Sequence, residues 1–259
     1  MLHTLIQHLA LLGALSGALW AVSLWLRDAS IVDRFWGAGF VVLAGMSALA
    51  VGEDTPRVLL LLLLVSVWGL RLSAYITWRN WGHGEDRRYA AMRAEHGSRF
   101  IWRSLWTVFL LQGLLVWIIG LPIQIGMLSA QAPFPVWTDL MGVVLAVAGI
   151  AFETIADAQM ARFKSRSHAP GAVMDRGLWR YSRHPNYFGD ALAWWGFYLL
   201  GCGAEYGVWL LPCPLLMTWL LRRVSGVPML EEDLVKRRPD YAEYIRRTPA
   251  FVPWFPKKP

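Results

Sequence analysis

The side chains best suited to chemistry are concentrated in one stretch, from Gly177 to Asp190. It reads Gly-Leu-Trp-Arg-Tyr-Ser-Arg-His-Pro-Asn-Tyr-Phe-Gly-Asp, and an apolar run from Ala191 to Cys202 follows directly. Polar groups beside a membrane-embedded segment are costly unless they pair with each other or bind a ligand. We therefore expect this stretch, called the signature below, to form part of a binding site.

A second polar group precedes the signature. Glu153 and Asp157 are four residues apart, so they share one face if this segment is helical. Lys164 and Arg166 follow them closely. One interpretation is that the two acids pair with Lys164 or Arg183 and only fix helix packing; the other is that the group binds a ligand. The residues alone leave both open.

The ligand that suits such a mixture is a nucleotide. Phosphates bind Arg and Lys, ribose hydroxyls bind carboxylates or amides, and a flat ring packs against aromatic or apolar walls. The sequence has neither the Gly-x-Gly-x-x-Gly of a Rossmann site nor the Gly-x-x-x-x-Gly-Lys-Ser/Thr of a P-loop. A phosphorylated cofactor would have to be held by side chains between helices, and we expect no metal site.

The elements that position these residues are membrane helices. Apolar residues make up 56% of the 259 residues and charged residues only 17%, which excludes one ordinary water-soluble domain. We predict an all-α polytopic membrane protein with about seven transmembrane helices and a single membrane domain over 1–259. The predicted spans are 5–26, 31–52, 57–78, 104–127, 136–160, 188–203 and 207–222. In the charged 79–103 link we expect a surface helix broken by Gly97.

The basic residues give an orientation. Most of them lie in the 79–103 link, in the link before the sixth span and in the tail after residue 222, whereas the links on the other side carry only Arg57. The positive-inside rule places these three segments, and the C-terminus, in the cytoplasm with the N-terminus outside. The net charge of +7 is thus explained by orientation in a bilayer, and we expect no nucleic-acid partner.

The signature resembles the carboxy-terminal signature of the steroid 5-alpha-reductase superfamily, which includes the sterol C14 reductases, and specifically its bacterial branch, DUF1295. The tail from Pro228 to Pro253, Trp68-Gly-Leu-Arg-Leu and Gly84-Glu-Asp-Arg-Arg-Tyr89 continue the resemblance. It covers most of the chain from Asp33 onward.

The resemblance implies an NADPH-dependent reductase whose cofactor site faces the cytoplasm in the C-terminal half, about 136–259, with substrate-side helices at about 1–130. It implies a bacterial inner-membrane location. In steroid 5-alpha-reductases an Asn stands at the position of Glu153. The implied cofactor-binding residues are Glu153, Asp157, Lys164, Arg166, Trp179, Arg183, His184, Asn186, Tyr187, Asp190, Glu232, Tyr241 and Tyr244.

Two other functions fit part of the pattern. Isoprenylcysteine and phospholipid N-methyltransferases share an Arg-His-Pro-x-Tyr-x-Gly signature, followed by a Glu-Glu pair near a Tyr-x-x-Tyr tail, which Glu231-Glu232 and Tyr241/Tyr244 match. Three features favour the reductase: Asp190 directly after Gly189, the arrangement of Glu153, Asp157 and Lys164, and the charged 79–103 link. S-adenosylmethionine carries no phosphate and would not need Lys164 and Arg166 together. The third possibility is a scaffold or transporter whose polar residues only hold helices together.

In the reductase interpretation, hydride passes to the β-carbon of an alkene conjugated to a carbonyl, and a protein acid polarises the carbonyl oxygen. The Gln-Glu pair that serves this role in steroid 5-alpha-reductases has no match here. Asp33, Tyr75 and Asp86 are the substitutes that we predict. Asp33 could instead pair with Arg34 or Arg71, and Tyr75 could be an interfacial aromatic residue.

The expected substrate is lipophilic: a steroid-like or isoprenoid enone that reaches the site from membrane lipid. Tryptophans would line its apolar pocket, although Trp is also common at membrane interfaces. These residues are Trp36, Trp68, Trp78, Trp194 and Trp195. Fatty enoyl and polyprenyl substrates stay open, as does the oligomeric state.

Overall fold

A computed structural model describes residues 1–129, 133–166, 171–204, 206–224, 231, 235 and 240–257. All regular structure in these residues is helical. The chain divides into two compact units, Met1–Val136 with Leu200–Leu210, and Trp137–Leu199 with Leu211–Pro259. The single-domain organisation over 1–259 stays a prediction.

The first unit is built from long apolar helices and several shorter ones. Its α-helices are α1 Leu2–Leu26, α2 Ile31–Val51, α3 Pro56–Asn80, α4 Arg87–His96, α5 Phe100–Ser104, α6 Leu111–Ile119 and α7 Leu121–Leu128. A 3₁₀ turn at Gly97–Arg99 follows α4 and leads into α5, and a π-helical segment at Leu105–Leu110 joins α5 to α6.

Two glycines let α2 and α3 approach closely. A Cβ on Gly37 would lie 2.3 Å from the Gly69 carbonyl oxygen, and one on Gly69 would lie 2.5 Å from the Gly37 carbonyl oxygen. Small residues at a crossing bring helix backbones together, which is how helices associate in a bilayer without a hydrophobic driving force. The contact holds the two helices that line the groove described below.

The surface helix expected in the 79–103 link is α4. The Asp86 carboxylate caps its first turn by accepting from the Arg88 backbone N–H at 2.9 Å. Gly97 follows the helix with φ +53°, a conformation in which glycine has no steric penalty. The expected break at Gly97 is therefore confirmed.

The second unit contains α8 Trp137–Lys164, α9 Pro185–Cys202, α10 Pro212–Trp219 and α11 Tyr241–Arg247. The last three residues of α9 count with the first unit. The shorter segments of the second unit are a 3₁₀ turn at Gly177–Arg180 and a π-helical segment at Leu220–Val224 that extends α10. Gly149 on α8 and Gly189 on α9 allow these two helices to pack backbone against backbone.

Among the described residues, five helical segments are long and apolar enough to cross a membrane, which supports a membrane protein. They are Leu2–Leu26, Ile31–Val51, Pro56–Asn80, Arg87–Ile119 and Trp137–Lys164. The predicted fourth span, 104–127, is divided at Gly120 between α6 and α7. The sixth and seventh spans, the count of seven and the orientation stay predictions.

Candidate functional site

The centre of the second unit is an ion pair between the signature and the tail. Arg183 donates to both carboxylate oxygens of Glu231, at 2.7 Å from Nε and 3.0 Å from Nη2. His184 Nε2 lies 2.9 Å from the same carboxylate. The side chains of Arg183 and Glu231 are only 10% and 15% exposed. A bidentate Arg–carboxylate pair at this burial fixes orientation as well as charge.

The same arginine also joins the signature to the start of the C-terminal segment. Its Nη1 donates to the carbonyl of Ile245 at 3.1 Å and to that of Thr248, and its backbone N–H donates to the Pro249 carbonyl at 2.9 Å. Burial would raise the pKa of Glu231, but the hydrogen bonds from His184 and Arg183, together with their charges, hold it below its ordinary value.

Aromatic side chains complete this network. The Tyr244 hydroxyl donates to the Trp179 carbonyl, and the Trp179 indole N–H donates to the Ala156 carbonyl on α8 at 3.0 Å. Burial raises the pKa of Tyr244, which stays protonated as a donor. The rings of His184 and Tyr187 stack with centroids 5.6 Å apart. Tyr241 packs 5.5 Å from Tyr244. The signature, α8 and α11 are thus held together by their own side chains.

A second contact joins α8 to α9. The Asn186 side-chain amide donates to Asp157 at 3.2 Å. Glu153, one turn before Asp157, is buried, and so is Asp190, one turn after Asn186. The structure therefore brings together four of the residues that the resemblance implies, on facing stretches of two helices.

A cavity of about 460 Å³ lies beside the end of α8. Three arginines line it: Arg162, Arg166 and Arg176. Its remaining wall includes Gln159, Phe163, Val173, Met174 and Asp175. Three arginines that line one cavity suit a phosphorylated ligand, because a guanidinium presents a planar set of donors that matches phosphate oxygens.

The sequence-predicted cofactor residues therefore fall into separate places within this unit. Arg166 lines the arginine cavity, whereas Arg183, His184, Asn186 and Asp190 do not. Lys164 is exposed at the end of α8, and Glu232 lies outside the described residues. The roles of these residues toward a cofactor stay predictions.

Three residues of the site were missed by sequence reasoning. Glu231 is the acid that binds Arg183 and His184, although Glu232 was the one predicted from the Glu-Glu pair. Arg162 and Arg176 share the cavity with Arg166. Arg162 was detectable in principle, since it precedes Arg166 by four residues, whereas nothing in the spacing links Arg176 to either.

The predicted catalytic residues lie in the first unit. Asp33 accepts hydrogen bonds from Arg88 Nη2 and the Tyr89 hydroxyl, both at 2.8 Å. Asp86 accepts from Arg88 Nε at 2.9 Å in addition to capping α4. Asp33 therefore pairs with Arg88, and Arg34 pairs instead with Asp28 at 3.1 Å. Tyr75 lies under the guanidinium of Arg79, 5.8 Å from its centre.

A neighbouring acid anchors the turn before α2. Glu85 accepts from the Ala29 backbone N–H at 2.8 Å and from Arg93 at 2.7 Å and 2.9 Å. Burial would raise the pKa of Glu85, but these hydrogen bonds and the Arg93 charge hold it below its ordinary value. Asp33, Glu85 and Asp86 thus form a structural network around α4 in this conformation.

An apolar groove of about 1150 Å³ lies among α1, α2 and α3. Most of its lining is aliphatic or aromatic and includes Trp78 and Trp81. Of the five tryptophans predicted to form a substrate pocket, Trp78 lines this groove, and Trp68 and Trp194 are fully buried. The volume lies slightly above the range for ligand sites, which is about 300–1,000 Å³.

Known proteins relate to this chain at the level of a family. The family described as "Protein of unknown function (DUF1295)" matches residues 19–248. An uncharacterized protein of the fission yeast Schizosaccharomyces pombe is 27% identical over 218 residues, an alignment that covers 74% of this chain and 62% of the yeast protein. No solved structure matches. Because the family match covers most of the chain and includes both the signature and the arginine cavity, the chain belongs to the DUF1295 family.

Proposed function

We propose that this protein is an NADPH-dependent membrane reductase that reduces a conjugated C=C bond in a lipophilic enone, of the steroid 5-alpha-reductase type. The observation that carries the proposal is the arginine cavity of the second unit. Three arginines line it, in the half of the chain where the resemblance implies the cofactor. The apolar groove of the first unit supports a lipophilic substrate.

The residues present fit the phosphate-bearing part of NADPH. Arg162, Arg166 and Arg176 would hold its 2′-phosphate, and Phe163 offers a flat wall for the adenine ring. When bound, NADPH supplies a hydride to the β-carbon of the enone. The Asn186 amide and the Asp157 carboxylate offer hydrogen-bond partners for ribose hydroxyls. The proposed location is the bacterial inner membrane, with this site on the cytoplasmic side.

A second candidate function is that of an S-adenosylmethionine-dependent methyltransferase. Glu231 binds the Arg and His of the Arg-His-Pro signature, so the two sequence elements shared with the isoprenylcysteine and phospholipid methyltransferases form one network. The network has no excess positive charge for a phosphate, because Glu231 compensates Arg183. The network of Glu231 with Arg183 and His184 therefore supports the methyltransferase better than the arginine cavity does.

The two candidates are separated by the nucleotide that stabilises the purified protein in detergent. We expect NADP⁺ at about 100 times its dissociation constant to raise the melting temperature by several degrees, since such saturation adds about 2.7 kcal/mol to stability. S-adenosylhomocysteine should leave the melting temperature unchanged. Stabilisation by S-adenosylhomocysteine alone would refute the reductase and support the methyltransferase.

The arginine cavity gives a sharper test of the cofactor. We expect Arg166→Ala to weaken NADPH binding about 10-fold or more while NADH binding changes little, because only NADPH has the 2′-phosphate that the guanidinium would hold. Titration of nucleotide fluorescence would measure both affinities. Arg180→Ala is the matched control, since Arg180 is exposed in the same unit and does not line the cavity. Equal losses for both nucleotides would assign Arg166 to the shared pyrophosphate or to the fold.

A further inference from the structure

The groove of the first unit is apolar along most of its length but has polar groups from α2 and α3. Arg34 lies on α2, and Ser73 and Thr77 lie one turn apart on α3. Apolar residues such as Leu19, Phe35 and Leu70 make up most of the remaining lining. Such a groove suits a ligand with a long apolar body and a small polar group at one position.

Arg34 has hydrogen-bonding capacity that the protein does not use. Its Nη2 donates to Asp28 at 3.1 Å, and this is its one polar contact among the described residues. Its Nε is buried without a hydrogen-bond partner there. The side chain nevertheless keeps 20% of its surface accessible and lines the groove. Nη1 has no hydrogen-bond partner among the described residues and is not fully buried, so it is the donor that an acceptor on a ligand in the groove would reach.

Ser73 offers a second donor on the facing helix. Its hydroxyl oxygen accepts from the Ala38 backbone N–H at 2.9 Å. This is the one hydrogen bond of the Ser73 side chain within the described part of the chain. Its hydroxyl hydrogen is therefore available to an acceptor on a ligand. Ala38 is one helical turn after Arg34, so the Ser73 hydroxyl lies against the same face of α2 as the Arg34 side chain. The Thr77 hydroxyl differs, since it donates to the Ser73 carbonyl at 2.7 Å.

The charge of this group selects among polar ligands. Asp28 already compensates the Arg34 cation, and its carboxylate also accepts from the Ser30 backbone N–H at 2.9 Å and from the Ser30 hydroxyl. An anionic headgroup would bring a second negative charge close to Asp28, which is unfavourable in an environment of low dielectric constant. A neutral acceptor takes up the available donors without that repulsion.

We propose that Arg34 and Ser73 bind the carbonyl oxygen of a neutral lipophilic ligand whose apolar body fills the groove. The inference rests on the proposed function, because it names the residues that hold the enone carbonyl of that reaction. It replaces Asp33, Tyr75 and Asp86 in this role with two residues whose donors are available. The class of substrate is then a neutral carbonyl compound and neither a fatty acid nor an anionic phospholipid.

The test compares three tritiated probes of equal chain length: a methyl ketone, a carboxylate and an alkane. Each is bound to the purified full chain in nanodiscs of zwitterionic lipid without nucleotide, and binding to empty nanodiscs is subtracted. We expect the wild-type protein to bind the ketone about tenfold more tightly than the other two, as one hydrogen bond to a charged donor allows. Arg34→Lys keeps a cation for Asp28 but replaces the two terminal nitrogens by one ammonium group, which Asp28 occupies, so the preference for ketone should disappear.

Two further variants keep the test decisive if Arg34→Lys folds poorly. Asp28→Asn leaves the Arg34 charge uncompensated and should raise carboxylate binding about tenfold. Thr77→Val is the matched control, because Thr77 lines the same groove but its hydroxyl already donates to the Ser73 carbonyl. This variant should keep the preference for the ketone. A wild-type preference for carboxylate, or a ketone preference that survives Arg34→Lys, would overturn the assignment.

The result of the Arg34 experiment can be distinguished from the result of the NADP⁺ experiment that tests the proposed function. If NADP⁺ stabilises the protein and Arg34→Lys leaves the ketone preference intact, the Arg34 assignment fails and the reductase proposal stands. If NADP⁺ does not stabilise the protein but the ketone preference depends on Arg34, the reductase proposal fails and the carbonyl site stands.

Discussion

We expect Arg183→Met to lower the free energy of unfolding by about 3–5 kcal/mol, the cost of removing one partner of a buried ion pair. The substitution leaves the Glu231 carboxylate, which is 15% exposed, without its bidentate partner. It also removes the donor to the Ile245 and Thr248 carbonyls. The measurement is the unfolding midpoint of the purified protein in one detergent, with the thermal scan rate held constant because membrane proteins often unfold irreversibly.

Arg247→Met is the matched control for this experiment. Arg247 also contacts acids in the same unit, Asp175 at 3.7 Å and Glu243 at 3.5 Å, but the three side chains are 37%, 45% and 56% exposed. Exposed pairs contribute about 0–1 kcal/mol, so the midpoint should hardly move. Similar effects of Arg183→Met and Arg247→Met would show that the signature is not held by the ion pair with Glu231.

The same ion pair should make stability depend on acid pH. Because the folded protein holds the pKa of Glu231 below its ordinary value of 4.5, the contribution of this group is fully present above that value. It is lost as the pH falls below 4.5 and through the lower folded pKa. Glu231→Gln should therefore reduce the loss of stability in this range, and an unchanged pH profile would count against the pairing.

These residues show which features of the fold and the site could be predicted from the sequence. Composition and hydropathy predicted a helical membrane protein, because long apolar runs leave few alternatives in lipid. Helical periodicity placed Glu153 and Asp157 on one face. Periodicity carries no information about contacts between distant segments, so the partner of Arg183, 48 positions away, was not predictable. Two adjacent glutamates also look alike in sequence, so nothing in the spacing selected Glu231 over Glu232.

The first unit shows the same limit. The structural alternative to a catalytic role for Asp33 was an ion pair with Arg34 or Arg71, which are near in sequence or on the next span. Its partners are Arg88 and Tyr89, which α4 brings back against the start of α2. A charged link between spans gives no signal of where its helix packs. The available donors of Arg34 could not be predicted either, because the sequence does not say that its guanidinium pairs with Asp28 and not with Asp33.

The close packing of α8 and α9 gives the second large expected effect. A Cβ on Gly149 would lie 2.3 Å from the Ala193 backbone nitrogen and 2.6 Å from the Gly189 carbonyl oxygen. These are backbone atoms, which cannot turn aside as a flexible side chain can. We expect Gly149→Ala to lower the free energy of unfolding by about 1–3 kcal/mol, as overpacking of a tight core does.

The matched control is Gly45→Ala, because Gly45 is also in the middle of a helix but nothing lies within 4 Å of the added Cβ. Alanine favours a helix over glycine by about 1 kcal/mol, so this variant should be neutral or slightly more stable. Relative to the wild-type protein, the unfolding midpoint should then fall for Gly149→Ala and stay the same or rise for Gly45→Ala. Equal shifts would mean that the substitution acts through helix propensity and not through the contact between α8 and α9.

Gly149→Ala also tests whether helix spacing controls the site. Separating α8 from α9 stretches the 3.2 Å hydrogen bond from Asn186 to Asp157, which depends on the same helix contact one to two turns away. Arg162, Arg166 and Arg176 belong to α8 and the segment after it and should keep their cavity. If Asp157 and Asn186 hold the ribose while the arginines hold the phosphate, NADPH affinity should fall in this variant while the preference for NADPH over NADH persists. Loss of that preference would instead show that the arginine cavity also depends on how α9 packs.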